Sequence, residues 1–174
     1  TSRPPISATS LSRDPWEPSC ALLVVPGGRD LPYLEDWSQQ AIRKVQRYVR
    51  EAGGAYLGIC AGAYFGSGRV QFSVPGEAGI EGARPLGFVP GIAAVGPAFG
   101  AADFQYNSHA GASLISLVFG DKPSIRVYCN GSCWFEFDHD ATGVEVIASY
   151  DDGRSAIIKS VVGKGRVLLP GPHV

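Results

Sequence analysis

The chain has 174 residues, 45% of them apolar and 18% charged, enough for one domain with a real core and the balance of a soluble globular protein. No run of about 18 apolar residues occurs, which excludes a membrane-spanning helix. The net charge is −1, from 15 basic and 16 acidic residues that do not cluster. That pattern speaks against a nucleic-acid or membrane-surface partner and for a small-molecule ligand.

Residues 1–19 are rich in Pro and Ser and read as an extended surface segment, with a weak strand-like stretch at 6–11. The run CALLVV at 20–25 is continuous and apolar, as expected of a parallel strand covered on both faces. Pro26-Gly27-Gly28 ends it and leaves bare amides at the carboxyl edge of the sheet, where open α/β folds hold their ligands. Apolar residues at helical spacing predict one helix over 35–52, stopped by Gly53-Gly54.

The stretch YLGICAGAYF at 56–65 carries the chemistry. A short buried strand leads into Cys60, and Gly58 and Gly62 flank it at minus two and plus two. That spacing lets a chain leave a strand, turn sharply and enter a helix. A thiol on such an elbow, beside the unpaired N–H groups of a helix start, is expected to ionise more readily than a free one. The bland alternative is a buried small residue, a common place for unpaired Cys.

Further strands are expected at 69–74, 85–95, 114–119, 125–128 and 134–137, while PGIAAVGPAFG at 90–100 reads as an ordered loop. Runs at 144–150, 155–162 and 166–169, separated by turn residues, predict a β-meander. It ends in Pro170-Gly171-Pro172-His173-Val174, a rigid corner that fixes His173. A Cys nucleophile needs a nearby base. His173 is favoured for that role, His109 in the Gly-rich NSHAG loop stays open, and His139 in DHD reads as an exposed turn residue.

Cys20, Cys60, Cys129 and Cys133 do not form a zinc pattern, so neither metal nor cofactor is expected, though a disulfide stays open. No methionine occurs, so the chain reads as a processed form or a fragment from which a targeting segment could have been removed. A cytoplasmic location is expected before a secreted one. The oligomeric state is open.

Taken in order, LLVVPGGRDLPY, YLGICAGAYF, PGIAAVGPAFG, YCNG and the terminal LPGPHV resemble the biotin-protein ligase N-terminal domain family, of the class I glutamine amidotransferase-like superfamily. The resemblance spans residues 15–174. It implies a single flavodoxin-like α/β domain, a three-layer sandwich with a mostly parallel central sheet, closed by the C-terminal meander. It matches Cys60 to the nucleophile and His173 to the base, and gives the oxyanion hole to the amides of Gly28 and Ala61. Gly27, Asp30, Tyr33, Tyr64 and Asn130 lie in the same motifs beside the cleft, with Gly27, Asp30 and Tyr64 taken as substrate-binding candidates. The superfamily's third catalytic group, a Glu, would fall immediately after Val174. The superfamily's opening strand is expected to be missing or reduced to residues 6–11, and nothing in the chain resembles a biotin-attaching catalytic domain.

The implied ligand is a small amide or amino-acid-like molecule, and the implied chemistry is amide hydrolysis or amidotransfer through a thioester. Two other functions fit the same residues: an inactive ligand-binding or regulatory module, and a PfpI-like hydrolase or redox-responsive protein whose elbow Cys oxidises readily.

Overall fold

A computed structural model describes residues 5–105 and 108–174. Its strands form one mixed sheet. β1 (Leu22–Val25), β2 (Ala55–Gly58) and β11 (Gly165–Pro170) lie side by side and parallel. The sheet then continues through β10 (Ser155–Val162), β8 (Trp134–Phe137), β5 (Val89–Gly96), β3 (Ser67–Phe72) and β4 (Ile80–Ala83). A side branch of β6 (Ser113–Val118), β7 (Ile125–Cys129) and β9 (Val144–Tyr150) joins through β10. Among the described residues, parallel pairing is confined to β1–β2, β2–β11 and β3–β5. The α/β class and the terminal meander are as expected, but the sheet is mixed where a mostly parallel one was predicted. The reason is that hairpin partners fill its middle: β10 enters antiparallel to β11, β9 and β8.

The predicted N-terminal extended stretch is instead α1 (Ala8–Arg13), which the Ser7 side chain caps by accepting from the Ser10 N–H at 3.0 Å. Leu11 is buried, and Trp16 packs against Tyr48 with the rings tilted and their centroids 5.0 Å apart. The single helix predicted over 35–52 is two helices, α2 (Leu31–Asp36) and α3 (Gln39–Arg50). Trp37 takes an extended conformation between them, its ring meets Phe65 edge-on at 5.1 Å, and Ser38 caps the new helix through the Ala41 N–H. The break thus places an aromatic ring against the elbow helix, which a continuous α3 would carry past it. The apolar side of α3, with Ala41, Val45, Tyr48 and Val49, is buried. Tyr48 also ties the segment leading into β1 to the start of β2, donating to the Cys20 carbonyl and accepting from the Ala55 N–H.

Two further expectations change. The strand expected at 85–95 forms as β5, and it takes most of the stretch at 90–100 for which an ordered loop is expected. Its Pro90 and Gly91 sit where the pairing with β3 slips, and Gly91 there has φ +74°, so a bulge absorbs the residues that would break a regular strand. β1 is covered on one face only: Leu23 and Val25 are buried, while Leu22 and Val24 are 47% and 46% exposed. The expected three-layer arrangement is reduced at this edge to helix on sheet.

The glycines around Cys60 earn their positions sterically. A Cβ on Gly58 would run into the Gly62 carbonyl, and one on Gly62 into the Val25 carbonyl. In a solvated helix, Gly to Ala gains about 1 kcal/mol. Gly62→Ala, although inside α4 (Ala61–Gly66), is expected to lose at least about 2 kcal/mol, because β1 backbone cannot yield. Urea unfolding measures this, and an unchanged or raised midpoint would contradict the contact with Val25.

Candidate functional site

The elbow forms as the sequence predicts. Cys60 has φ +50° and ψ −102°, the only positive φ at a non-glycine among the described residues. Such strain persists only where the surroundings impose it. Here the Cys60 N–H donates to the Pro170 carbonyl at 3.0 Å, the Ile59 N–H to Val25 at 2.9 Å, and the Gly62 N–H to Pro26 at 3.2 Å and Ile59 at 2.9 Å. Tyr56 adds a buried hydroxyl that donates to the Gly62 carbonyl at 2.8 Å. Three separate strand ends, β1, β2 and β11, therefore clamp one residue.

Parallel pairing of Val25 with Gly58 puts the Pro26-Gly27-Gly28 turn and Cys60 at the same sheet edge. The backbone N–H groups of Gly28 and Ala61 both donate toward the Cys60 sulfur. Gly28 has φ +131°, and Tyr33 buttresses the turn by donating to the Pro26 carbonyl at 3.0 Å. β11 delivers His173 to the same place. The His173 ring packs on Gly27 so closely that a Cβ there would run into Cε1. The His173 N–H donates to the Tyr128 carbonyl at 3.2 Å, and the two rings meet edge-on at 5.7 Å. His109, the other candidate, is engaged with Tyr128, its Nδ1 at 2.9 Å from the hydroxyl. His139 is exposed on its turn, as read.

The electrostatics differ from expectation. The elbow is expected to make its thiol ionise more readily than a free one, but Cys60 is 3% exposed and burial pushes it up to about 12, against the two backbone amides that favour the thiolate. Desolvation wins because nothing positively charged faces the sulfur among the causes that act on it, whereas the buried Cys129 thiol and the Asp30 carboxylate oppose its charge further. Burial also lowers His173 below its ordinary 6.5. Among the described residues, no carboxylate hydrogen-bonds its ring. At neutral pH the site holds a thiol and a neutral imidazole. All four cysteines are free thiols.

Beside the elbow opens a cavity of about 380 Å³, with Gly28, Asp30, Tyr64, Tyr128, Asn130 and His173 in its wall. Cys60 is buried and is not part of that wall. Tyr64 is fully buried in α4 and donates to the Gly131 carbonyl at 2.9 Å, so it braces the cavity and offers the ligand only its ring. Asp30 is held by Arg84, Nε to Oδ2 at 2.6 Å, with side chains 3% and 12% exposed.

A model of the family described as biotin-protein ligase, N terminal, matches residues 3–174. The chain belongs to the biotin-protein ligase N-terminal family. An uncharacterized protein of Chlamydia muridarum is 44% identical over 164 residues, covering 91% of this chain and 62% of that protein. A biotin–protein ligase of Schizosaccharomyces pombe is 40% identical over 177 residues, covering 97% of this chain and 27% of that enzyme. The chain thus spans less than two thirds of the length of these relatives. Among solved structures, a glutamine amidotransferase superposes with a TM-score of 0.60 at 21% identity, over 88% of this chain and 70% of its own. A catalytic mutant of a GH42 β-galactosidase from G. stearothermophilus gives 0.54 at 15% identity, over 88% and 19%. These likenesses establish the amidotransferase-like α/β architecture.

In this biotin-protein ligase N-terminal domain, the motifs pointed to Cys60, His173, Gly27, Gly28, Ala61, Asp30 and Tyr64, and the fold brings all of them to one edge. The sequence reading missed Arg84 and the apolar wall of Val70, Phe72, Ile80 and Phe104. Arg84 stands in GARPLG with no local signal, because its partner is 54 positions away. No helix among the described residues is long and apolar enough to cross a membrane.

Two outcomes follow from the charges. Because the Cys60 pKa is raised, the folded state favours the thiol, and the stability this contributes is complete below the ordinary 9.0 and lost as pH climbs toward about 12. At pH 8, iodoacetamide should label Cys60 more slowly in the folded protein than in urea, with mass spectrometry reading the difference; faster labelling in the folded state would contradict the burial. Arg84→Met should cost about 3 kcal/mol in denaturant unfolding, since it strands the buried Asp30 carboxylate.

Proposed function

We propose that this domain binds a small carboxamide beside the elbow and that Cys60 attacks its carbonyl carbon, with His173 as general base. The observation that carries the reading is the pair of backbone N–H groups, Gly28 and Ala61, converging on the sulfur of a strained residue. The same two donors would hold an oxyanion forming next to that sulfur, the largest stabilising contribution in most acyl transfers.

The thiol is neutral at rest, so the proton must leave during attack. As the sulfur–carbon bond forms, the thiol proton passes to the unprotonated His173 imidazole and the carbonyl oxygen takes up negative charge at the two amides. Collapse breaks the carbon–nitrogen bond, His173 returns the proton to the departing nitrogen, and ammonia or an amine leaves a thioester. Water then adds with His173 again accepting a proton, the carbon–sulfur bond breaks, and the thiol is restored with a carboxylic acid as product. A lowered imidazole pKa suits this role, because the base form persists at neutral pH. A group that waits protonated at about 12 is poorly suited to peroxide sensing, which needs an exposed thiolate.

The second reading, a non-catalytic binding module, is favoured by one observation: Cys60 is absent from the cavity wall and is 3% exposed. Ammonia release from an amide panel separates the two. Catalysis predicts a rate that drops at least about 100-fold in Cys60→Ala and in His173→Ala, together with a thioester adduct on Cys60 by mass spectrometry. Because burial lowers His173, the rate should hold through pH 6.5 and fall only below it, as the imidazole gains its proton. Equal rates in the wild type and Cys60→Ala, with no adduct, would leave the binding module.

A further inference from the structure

The cavity beside Cys60 has two unlike ends. Toward the elbow it presents the Gly28 backbone, the Asp30 carboxylate and the His173 imidazole. Toward the β3–β4 side it presents Val70, Phe72, Ile80 and Phe104. Tyr64, Phe72 and Phe104 form a ladder of edge-on rings, with centroids 5.9 Å and 5.4 Å apart. The ladder offers carbon alone, because the Tyr64 hydroxyl is spent on the Gly131 carbonyl. Asn130 in the same wall donates from Nδ2 to the Ser108 carbonyl at 3.0 Å, while its buried Oδ1 has no hydrogen-bond partner among the described residues.

From this division we infer that the site takes amides with an apolar or aromatic body and discriminates against glutamine-like amino acids, an inference that rests on the carboxamide reading above. A carbonyl set over the Gly28 and Ala61 amides directs the rest of the ligand along the ring ladder. For glutamine, that path puts an ammonium and a carboxylate against Phe72 and Phe104, where both lose water without a partner. The neighbouring cation Arg84 is not among the residues that line the cavity: Nε holds Asp30, Nη1 lies within hydrogen-bond distance of the Gly82 and Ala83 carbonyls, and Nη2 is buried without a partner among the described residues. Arg29 stands exposed at the mouth, where water screens any carboxylate it meets. An alkyl or phenyl body instead gains burial against the ladder. The unpartnered Asn130 oxygen is an acceptor suited to the N–H of an amide, and a volume of about 380 Å³ suits a body of one ring or a short chain.

The test compares 3-phenylpropionamide, hexanamide and L-glutamine. Calorimetric titration of Cys60→Ala reads binding without turnover, and ammonia release by the wild type reads turnover. Both apolar amides should bind at least about tenfold more tightly than glutamine, a difference of about 1.4 kcal/mol. Phe104→Gln, a partly buried position at the cavity wall, should erase most of that preference while circular dichroism stays native. Glutamine bound as well as the apolar amides, or none of the three bound, overturns the inference. So does ammonia release from glutamine alone, an outcome that would leave the catalytic reading standing. Preferential binding of the apolar amides without any ammonia release supports the inference and removes only the catalysis.

Discussion

The strained backbone at Cys60 is possible only because β11 arrives beside β2. The Cys60 N–H has no partner in its own strand or helix and finds the Pro170 carbonyl at the end of β11, more than a hundred residues later. Without that acceptor, a buried N–H would be orphaned at a positive φ, and the cost of both would fall on one residue. Everything at the site follows from the docking. It closes the elbow, it completes the parallel trio β1–β2–β11, and it carries His173 past Pro172 onto the Gly27 backbone. The glycines at 27, 58 and 62 are the complement of this arrangement, each placed where a side chain would occupy space already taken by an imidazole or a carbonyl.

The same tight packing explains the electrostatic character of the centre. Closing three strand ends over the sulfur excludes water from it, and two amides do not offset the lost hydration, so the thiol stays protonated. A preformed thiolate–imidazolium pair therefore does not describe the resting site. Under the proposed chemistry, proton transfer accompanies attack on a ligand by a sulfur that does not line the cavity. The cavity beside it is asymmetric, polar at the turn and aromatic along β3.

Membership in the biotin-protein ligase N-terminal family and likeness to a glutamine amidotransferase define the scaffold. They do not carry function, which depends on how the site is walled. In this chain the apolar part of the wall is built from residues outside the recognisable motifs: Val70 and Phe72 on β3, Ile80 on β4 and Phe104 in the loop that follows β5, while Arg84, outside the wall, pairs with Asp30. The exposed apolar face of Leu22, Val24 and Leu168 on the parallel strands is a second departure from a fully sandwiched sheet.

What could be read from residues alone was local. The Gly-x-Cys-x-Gly spacing announced a sharp strand-to-helix turn, because only glycine fits both flanks; the Pro-Gly-Gly end of β1, the meander and the rigid corner before His173 were equally legible from turn chemistry. Short-range pattern failed where distant partners overrode it. Trp37 broke the predicted helix to reach Phe65, Pro90 and Gly91 stayed in a strand because a bulge against β3 absorbed them, and the first helix formed where an extended segment was expected because Leu11 and Trp16 could bury on α3. The protonation state of Cys60, the pairing of Asp30 with Arg84 and the apolar lining of the cavity belong to tertiary structure only. Desolvation and ion pairing depend on which atoms surround a group in three dimensions, and those atoms come from segments that are far apart along the chain.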